Sequence, residues 1–193
     1  MAKIFINYRT GDESFAAVTL DRSLSARFGA ENVFRDSRSI PPGQDFPPVL
    51  WQGLADSAVL IVVIGPHWLD DARLHRPGDF VRQEIEWALR LGKRIMPVLV
   101  GGVAKPAAED LPESIRPVVD RQYRRIHARS AEADVRAVVD DLAAALGEPV
   151  ADEPADPGAD DRDRVRFRDL HGDLVMGDKI GRDKIVRNYG RRA

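Results

Sequence analysis

The sequence predicts an α/β domain built on an open five-stranded parallel sheet with helices on both faces. Three observations carry that expectation. Strand-like and helix-like segments alternate along the chain, the run Ala58 to Ile64 is apolar without interruption, and Ser130 to Leu146 carries a clear helical period. An uninterrupted apolar run is what a strand buried on both faces requires, so it is placed at the centre of the sheet. In open sheets of this kind ligands are expected outside the carboxyl ends of the strands.

Taken in order, Lys3 to Tyr8 alternates, with Ile4 and Ile6 facing one way and Phe5 the other, and reads as the first strand. Thr10-Gly11-Asp12 is a turn able to cap a helix. The helix follows with Phe15, Leu20, Leu24 and Phe28 at roughly helical spacing until Gly29, and Asn32 to Arg35 reads as a short second strand. Asp36 to Pro48 contains four prolines and Gly43, which forbids regular structure over most of it. A long stiff loop inside a compact domain is usually functional. Phe46, Val49, Leu50 and Leu54 mark a helix that Pro47 and Pro48 can start.

After the central strand, Gly65-Pro66 breaks the run and a loop leads to Gly78. Asp79 can cap a helix reaching Leu91 before Gly92. Arg94 to Val100 is the fourth strand, with Pro97 suggesting an irregular or edge-like stretch, and Gln122 to Ile126 is a weak fifth. The last helix has Val135, Val138, Val139, Leu142 and Leu146 on one stripe, Ser130 as cap, Glu132 and Asp134 in its first turn and Gly147 at its end.

Composition narrows the function. The 193 residues hold 29 Lys and Arg against 31 Asp and Glu, a formal charge of −2, which argues against nucleic acid or a membrane surface as partner. The absence of cysteine excludes disulfides, thiolate nucleophiles and Cys-zinc sites. The longest apolar run falls far short of the ~20 residues of a membrane span, and Met-Ala-Lys-Ile-Phe carries no signal-peptide core, so a cytoplasmic location is expected. Phosphate-loop, dinucleotide-fingerprint and zinc-helix motifs are all missing, and His67, His75, His127 and His171 lack ligand spacing, so no metal or resident cofactor is expected.

The expected organisation is a domain over residues 1–147, an acidic proline-rich linker over 148–161 and a tail over 162–193. The linker has six acids, no base and three prolines. In the tail Asp recurs every fifth residue from Asp173, and Val175, Ile180 and Ile185 keep the same step, the pattern of a possible assembly motif.

The most informative segment is Phe80 to Leu91. Wound at ~100° per residue, it places Arg82, Gln83, Glu86 and Arg90 on one arc and Phe80, Val81, Ile85, Trp87, Ala88, Leu89 and Leu91 on the other. Glu84 falls inside the apolar arc. A buried ionised carboxylate without a partner costs several kcal/mol, so Glu84 needs a cation, hydrogen-bond donors or a solvent-filled cleft. It serves either as a structural carboxylate or as a functional acid.

Resemblance to a known family adds to this. Lys3 to Arg9 resembles the first box of a Toll/interleukin-1 receptor (TIR) domain. Phe34 to Asp36 through Ile40-Pro41-Pro42-Gly43 resembles its second strand and BB loop, and Gly65-Pro66-His67-Trp68 with Phe80 to Pro97 resembles the stretch around its third helix and fourth strand. The resemblance spans about residues 2 to 147 and implies a flavodoxin-like five-stranded parallel sheet, the TIR fold. It implies further that the chain is of the bacterial type that cleaves NAD at the nicotinamide–ribose bond, with NAD as substrate and no cofactor.

In that family the glutamate of a Trp-x-x-x-Glu segment is catalytic, and by resemblance it is Glu84. Phe80 stands where the family has Trp, which puts cyclisation of the product in doubt. Trp87 is an extra aromatic one turn beyond the acid. Tyr8, Arg9, Asp36, Gly43, Phe46, Phe80 and Trp87 are implied at the substrate, Arg9 to pair with a phosphate or hold Glu84 ionised. Pro41, Pro42 and Gly43 are implied in homo-oligomeric TIR–TIR contacts that complete the site. The expected role is an NAD glycohydrolase activated by self-association, in antiphage defence or signalling. The competing role is a non-catalytic scaffold that only assembles with other TIR domains.

Overall fold

In the computed structural model of the chain, residues 4–12, 14–35, 46–70 and 72–147 are described. Asp36, Pro41, Pro42, Gly43, the linker and the tail therefore lie outside the described residues, as does the side chain of Phe46. Five strands, β1 (Ile4–Asn7), β2 (Val33–Phe34), β3 (Val59–Ile64), β4 (Arg94–Val100) and β5 (Arg124–Ile126), form one sheet in the order β2-β1-β3-β4-β5. Every pair is parallel. Among the described residues, four α-helices accompany them: α1 (Ser14–Phe28), α2 (Phe46–Asp56), α3 (Phe80–Arg90) and α4 (Ala131–Leu146).

The period of two along the strands sorts the core into two layers. Ile4, Ile6, Val59, Ile61 and Val63 pack with Leu20 and Leu24 of α1 and with Val138 and Leu142 of α4. Phe5, Leu60, Val62 and Ile64 pack on the other face with Leu50 and Leu54 of α2 and Ile85 and Ala88 of α3. Every residue of β3 is buried, as its uninterrupted apolar run requires, and each fully buried Leu or Ile there contributes roughly 1.5–3 kcal/mol relative to exposure. The order reverses beside β1, because the chain passes from β1 outward to β2 and then returns to β3 on the other side. Connections leaving β1 and β3 diverge at that point and open a crevice at the carboxyl end of β1.

Several expectations change in detail. Phe15 is 80% exposed, since it lies five residues from Leu20 and so falls off the stripe of Ala17, Leu20, Leu24 and Phe28. Asp12 does not cap α1. Its Oδ1 accepts the backbone N–H of His67 at 3.1 Å, and Gly11 N–H instead donates to Ser14 Oγ at 3.2 Å. Ser130 precedes α4 but makes no side-chain cap bond to its backbone; its hydroxyl donates to Asp134 Oδ2 at 2.8 Å.

Between β4 and β5 the chain makes 3-10 turns at Ala108–Asp110 and Glu113–Asp120, where Pro112 and Pro117 interrupt an α-helical ladder. Pro97 is tolerated inside β4 because pairing with β5 begins only at Val98. At the other ends the expectations hold closely: Asp79 caps α3 by accepting Arg82 N–H at 3.0 Å, and Gly147 closes α4 in the left-handed conformation at φ 71°.

Candidate active site

The crevice predicted by the strand order is present. It is a cleft of about 480 Å³ at the carboxyl end of β1, walled by Tyr8, Arg9 and Thr10 on one side and by Gly78, Asp79, Phe80, Val81 and Glu84 on the other, with Arg73 and Arg76. Four of the residues singled out from the sequence, Tyr8, Arg9, Phe80 and Glu84, thus converge on one space although they are some 70 positions apart in the chain.

Glu84 sits on the buried face of α3 and is 7% exposed. Its Oε2 accepts a 2.6 Å hydrogen bond from Asn7 Nδ2, which also donates to the Val81 carbonyl at 3.0 Å. A donor behind it and a cleft before it answer the needs set out for this acid. Asn7 was not singled out from the sequence, although a signal was available. It shares the face of Phe5 on β1, where packing alone calls for an apolar residue.

Arg9 is 4% exposed and forms a two-pronged pair with Asp79, Nη1 to Oδ2 and Nη2 to Oδ1, each at 2.9 Å. Asp79 therefore does two things: it closes the first turn of α3, and it anchors that turn to the end of β1. The paired fork fixes where Glu84, a little over one turn on from Asp79, meets the cleft. Tyr8 is half-buried and its hydroxyl is hydrogen-bonded to Arg35. Burial opposes the charge of Arg35, but hydrogen bonds to Asp21 and Tyr8 raise its pKa above the ordinary value.

Phe80 lines the cleft and is 42% exposed, so its ring is presented to any occupant. Trp87 does not line the cleft. It packs against Trp51 of α2, with ring centroids 6.1 Å apart, and under the Arg90 guanidinium at 4.8 Å. Trp51 also meets Phe80 at 6.3 Å, so the aromatic that backs Phe80 comes from α2 rather than from the next turn of α3.

Arg73 and Arg76 bring two cations to the cleft from the segment around the 3-10 turn Ala72–His75. Nothing in the sequence marked them, because no period exists in an irregular segment. That segment is fastened to α3 from below. Arg82 donates to the His75 carbonyl at 3.1 Å and Gln83 Nε2 to the Pro77 carbonyl at 2.9 Å. Arg82 is itself held by Glu86 at 2.6 Å, which also accepts the Ser114 hydroxyl. Burial tends to raise the Glu86 pKa, but hydrogen bonds from Ser114 and Arg82 and the charges of Arg82 and Arg90 hold it below its ordinary value.

A buried carboxylate in a cleft that arginines and an exposed aromatic ring also line suits a substrate that carries phosphate, a flat ring and a centre that becomes positive during reaction. Among the described residues no group of three or more His, Cys, Asp or Glu is placed to hold a metal ion. Among them, too, no helix is long and apolar enough to cross a membrane.

Comparison with known proteins gives one family. A model described as TIR domain matches residues 4–139. No curated protein matches the sequence. Among solved structures, the TIR domains of the activated Roq1 resistosome, which directly recognises the pathogen effector XopQ, share 11% identity at a TM-score of 0.57. That match covers 74% of this chain and 99% of the other. A metazoan TIR-STING receptor from C. gigas in complex with 2′,3′-cGAMP shares 22% identity at a TM-score of 0.47, covering 70% of this chain and 39% of that one. The TIR domain of the Toll-related receptor TRR-2 from Hydra magnipapillata shares 20% identity at 0.42, covering 70% and 99%.

Proposed function

The chain belongs to the TIR domain family, and from that premise we propose that it is an NAD glycohydrolase, cleaving the nicotinamide–ribose bond through Glu84. The observation that carries the proposal is a carboxylate only 7% exposed that nevertheless forms part of the wall of a 480 Å³ cleft. A scaffold that only assembles has no use for an acid in that position, and replacing it by an apolar residue would pack better.

The chemistry asks little of the protein. Nicotinamide departs as a neutral molecule, so no general acid is needed, and the ribose left behind passes through an oxocarbenium-like state. The Glu84 carboxylate stabilises that developing positive charge and accepts hydrogen bonds from ribose hydroxyls, strengthened because its side chain is largely buried. Arg73 and Arg76 receive the pyrophosphate, and Phe80 offers a ring face for stacking. Water then attacks the anomeric carbon and gives up a proton to the Glu84 carboxylate, which passes it to solvent, leaving ADP-ribose.

Activity through self-association is part of the proposal, with the loop holding Pro41, Pro42 and Gly43 as the contact and residues 162–193 as a tether that raises local concentration. Incubating the purified chain with NAD, with and without a crowding agent, and measuring free nicotinamide tests it. Release that depends on protein concentration is expected. Assembly without release would leave the scaffold role.

A further inference from the structure

Resting on the reading of Glu84 as the reactive acid, we infer that Asn7 is the positioning residue of the site, holding Glu84 as an oriented carboxylate at the cleft. Asn7 is the last residue of β1 and is completely buried. One amide nitrogen serves two acceptors on α3, Glu84 Oε2 at 2.6 Å and the Val81 carbonyl at 3.0 Å. A carboxylate only accepts, so the amide nitrogen and not its oxygen must face Glu84. The two bonds together set both the height of α3 against β1 and the direction of the Glu84 side chain.

Packing does not explain this residue. Position 7 lies on the face of Phe5, which stacks on Phe34 at 4.9 Å and belongs wholly to the core. The Asn7 carbonyl oxygen is buried with no hydrogen-bond partner among the described residues, a cost to stability that an apolar side chain would avoid. A buried amide kept at that cost, with its nitrogen aimed at a carboxylate on the cleft wall, is accounted for by what it does to the carboxylate. It binds the ionised form and prefers it to the protonated one.

Charged groups share the cleft with Glu84. Arg9 follows β1 with its fork on Asp79, and Arg73 and Arg76 line the cleft from the segment that precedes α3. Tyr8 completes the titratable set of the wall. The short bond from Asn7 is a directional contact, and direction is what a reacting carboxylate needs.

The test uses the full chain and two readouts. In the wild type, the Asn7 side-chain amide resonances and the Glu84 carboxyl carbon are followed by NMR through a pH titration. The same midpoint for both is expected, and an Asn7 amide blind to the Glu84 titration would overturn the inference without any variant being made. Nicotinamide release by Asn7→Leu, which keeps volume and loses the donor, and by Asn7→Asp, which adds a like charge, is then measured against pH. Folded variants are expected to lose about 10²-fold in kcat with KM changed less than about threefold, and their acid limbs to move upward by about one pH unit in Asn7→Leu and further in Asn7→Asp. Wild-type kcat and an unmoved acid limb would refute the role. Should the wild type release no nicotinamide, the proposed activity fails, while the NMR midpoints still decide whether Asn7 governs Glu84.

Discussion

Arg9 and Asp79 meet through two 2.9 Å hydrogen bonds with 5% and 6% of their side chains exposed. At that burial the pair is little screened, and removing Arg9 leaves Asp79 buried with the Arg82 backbone N–H as the remaining donor to its side chain. Arg9→Met is therefore expected to lower stability by about 3–5 kcal/mol, measured by urea denaturation, and a loss below ~1 kcal/mol would show that the pair is solvated. The sequence expectation for Arg9 was a phosphate or Glu84; the structure shows its guanidinium paired with Asp79, the cap of α3. Helical projection alone isolated Glu84, because a charge inside an apolar arc breaks a strong pattern. Asn7 broke a weaker, four-residue pattern, and Arg73 and Arg76 broke none, which is why the acid was legible in the sequence and its cationic neighbours were not.

At the scale of elements, α2 sits close on the sheet because Gly53 faces the Phe34 ring. A Cβ built there would lie 2.5 Å from two ring carbons, and the ring is already stacked on Phe5 at 4.9 Å. An alanine inside a helix normally gains up to ~1 kcal/mol over glycine, whereas overpacking costs about 1–3 kcal/mol. Gly53→Ala is therefore expected to destabilise by roughly 1–2 kcal/mol net, read from the urea midpoint; a stabilised variant would mean that Phe34 yields freely.

The first turn of α4 gives a pH dependence. Asp134 accepts the His127 backbone N–H at 2.8 Å, then the Ser130 hydroxyl and the His127 ring, and these hold its pKa below the ordinary 3.8. A depressed folded pKa stabilises above the unfolded value and is lost as pH falls through the folded one. The stability advantage of wild type over Asp134→Asn should thus be full above about pH 5 and shrink below 3.8; an advantage that persists unchanged at pH 2 would contradict it. Periodicity found β3, α3 and α4 almost residue for residue. It overstated β1, β2 and β5, whose ends are decided by pairing across the sheet, and it misplaced Phe15 because five residues is not a helical return.

The whole molecule joins a TIR domain over residues 4–139 to a long carboxyl-terminal stretch with a five-residue repeat. If copies of the repeat stack, they bury rows of Val175, Ile180 and Ile185 and bring the tethered domains to ~mM local concentration. Deleting residues 162–193 should then shift assembly and NAD turnover to higher protein concentration together, while fusing them to a monomeric carrier should make it associate. Unchanged turnover and a monomeric fusion would remove the tail from the account.

The central claim is that one carboxylate does the chemistry, and Glu84→Gln tests it because shape is kept and only charge is lost. Nicotinamide release from NAD is compared between wild type and Glu84→Gln under the conditions where wild type is most active, with folding verified by circular dichroism. Loss of a transition-state charge contact should cost at least ~3 kcal/mol, a fall of 10²-fold or more in rate. A folded Glu84→Gln chain that releases nicotinamide at the wild-type rate would contradict the account.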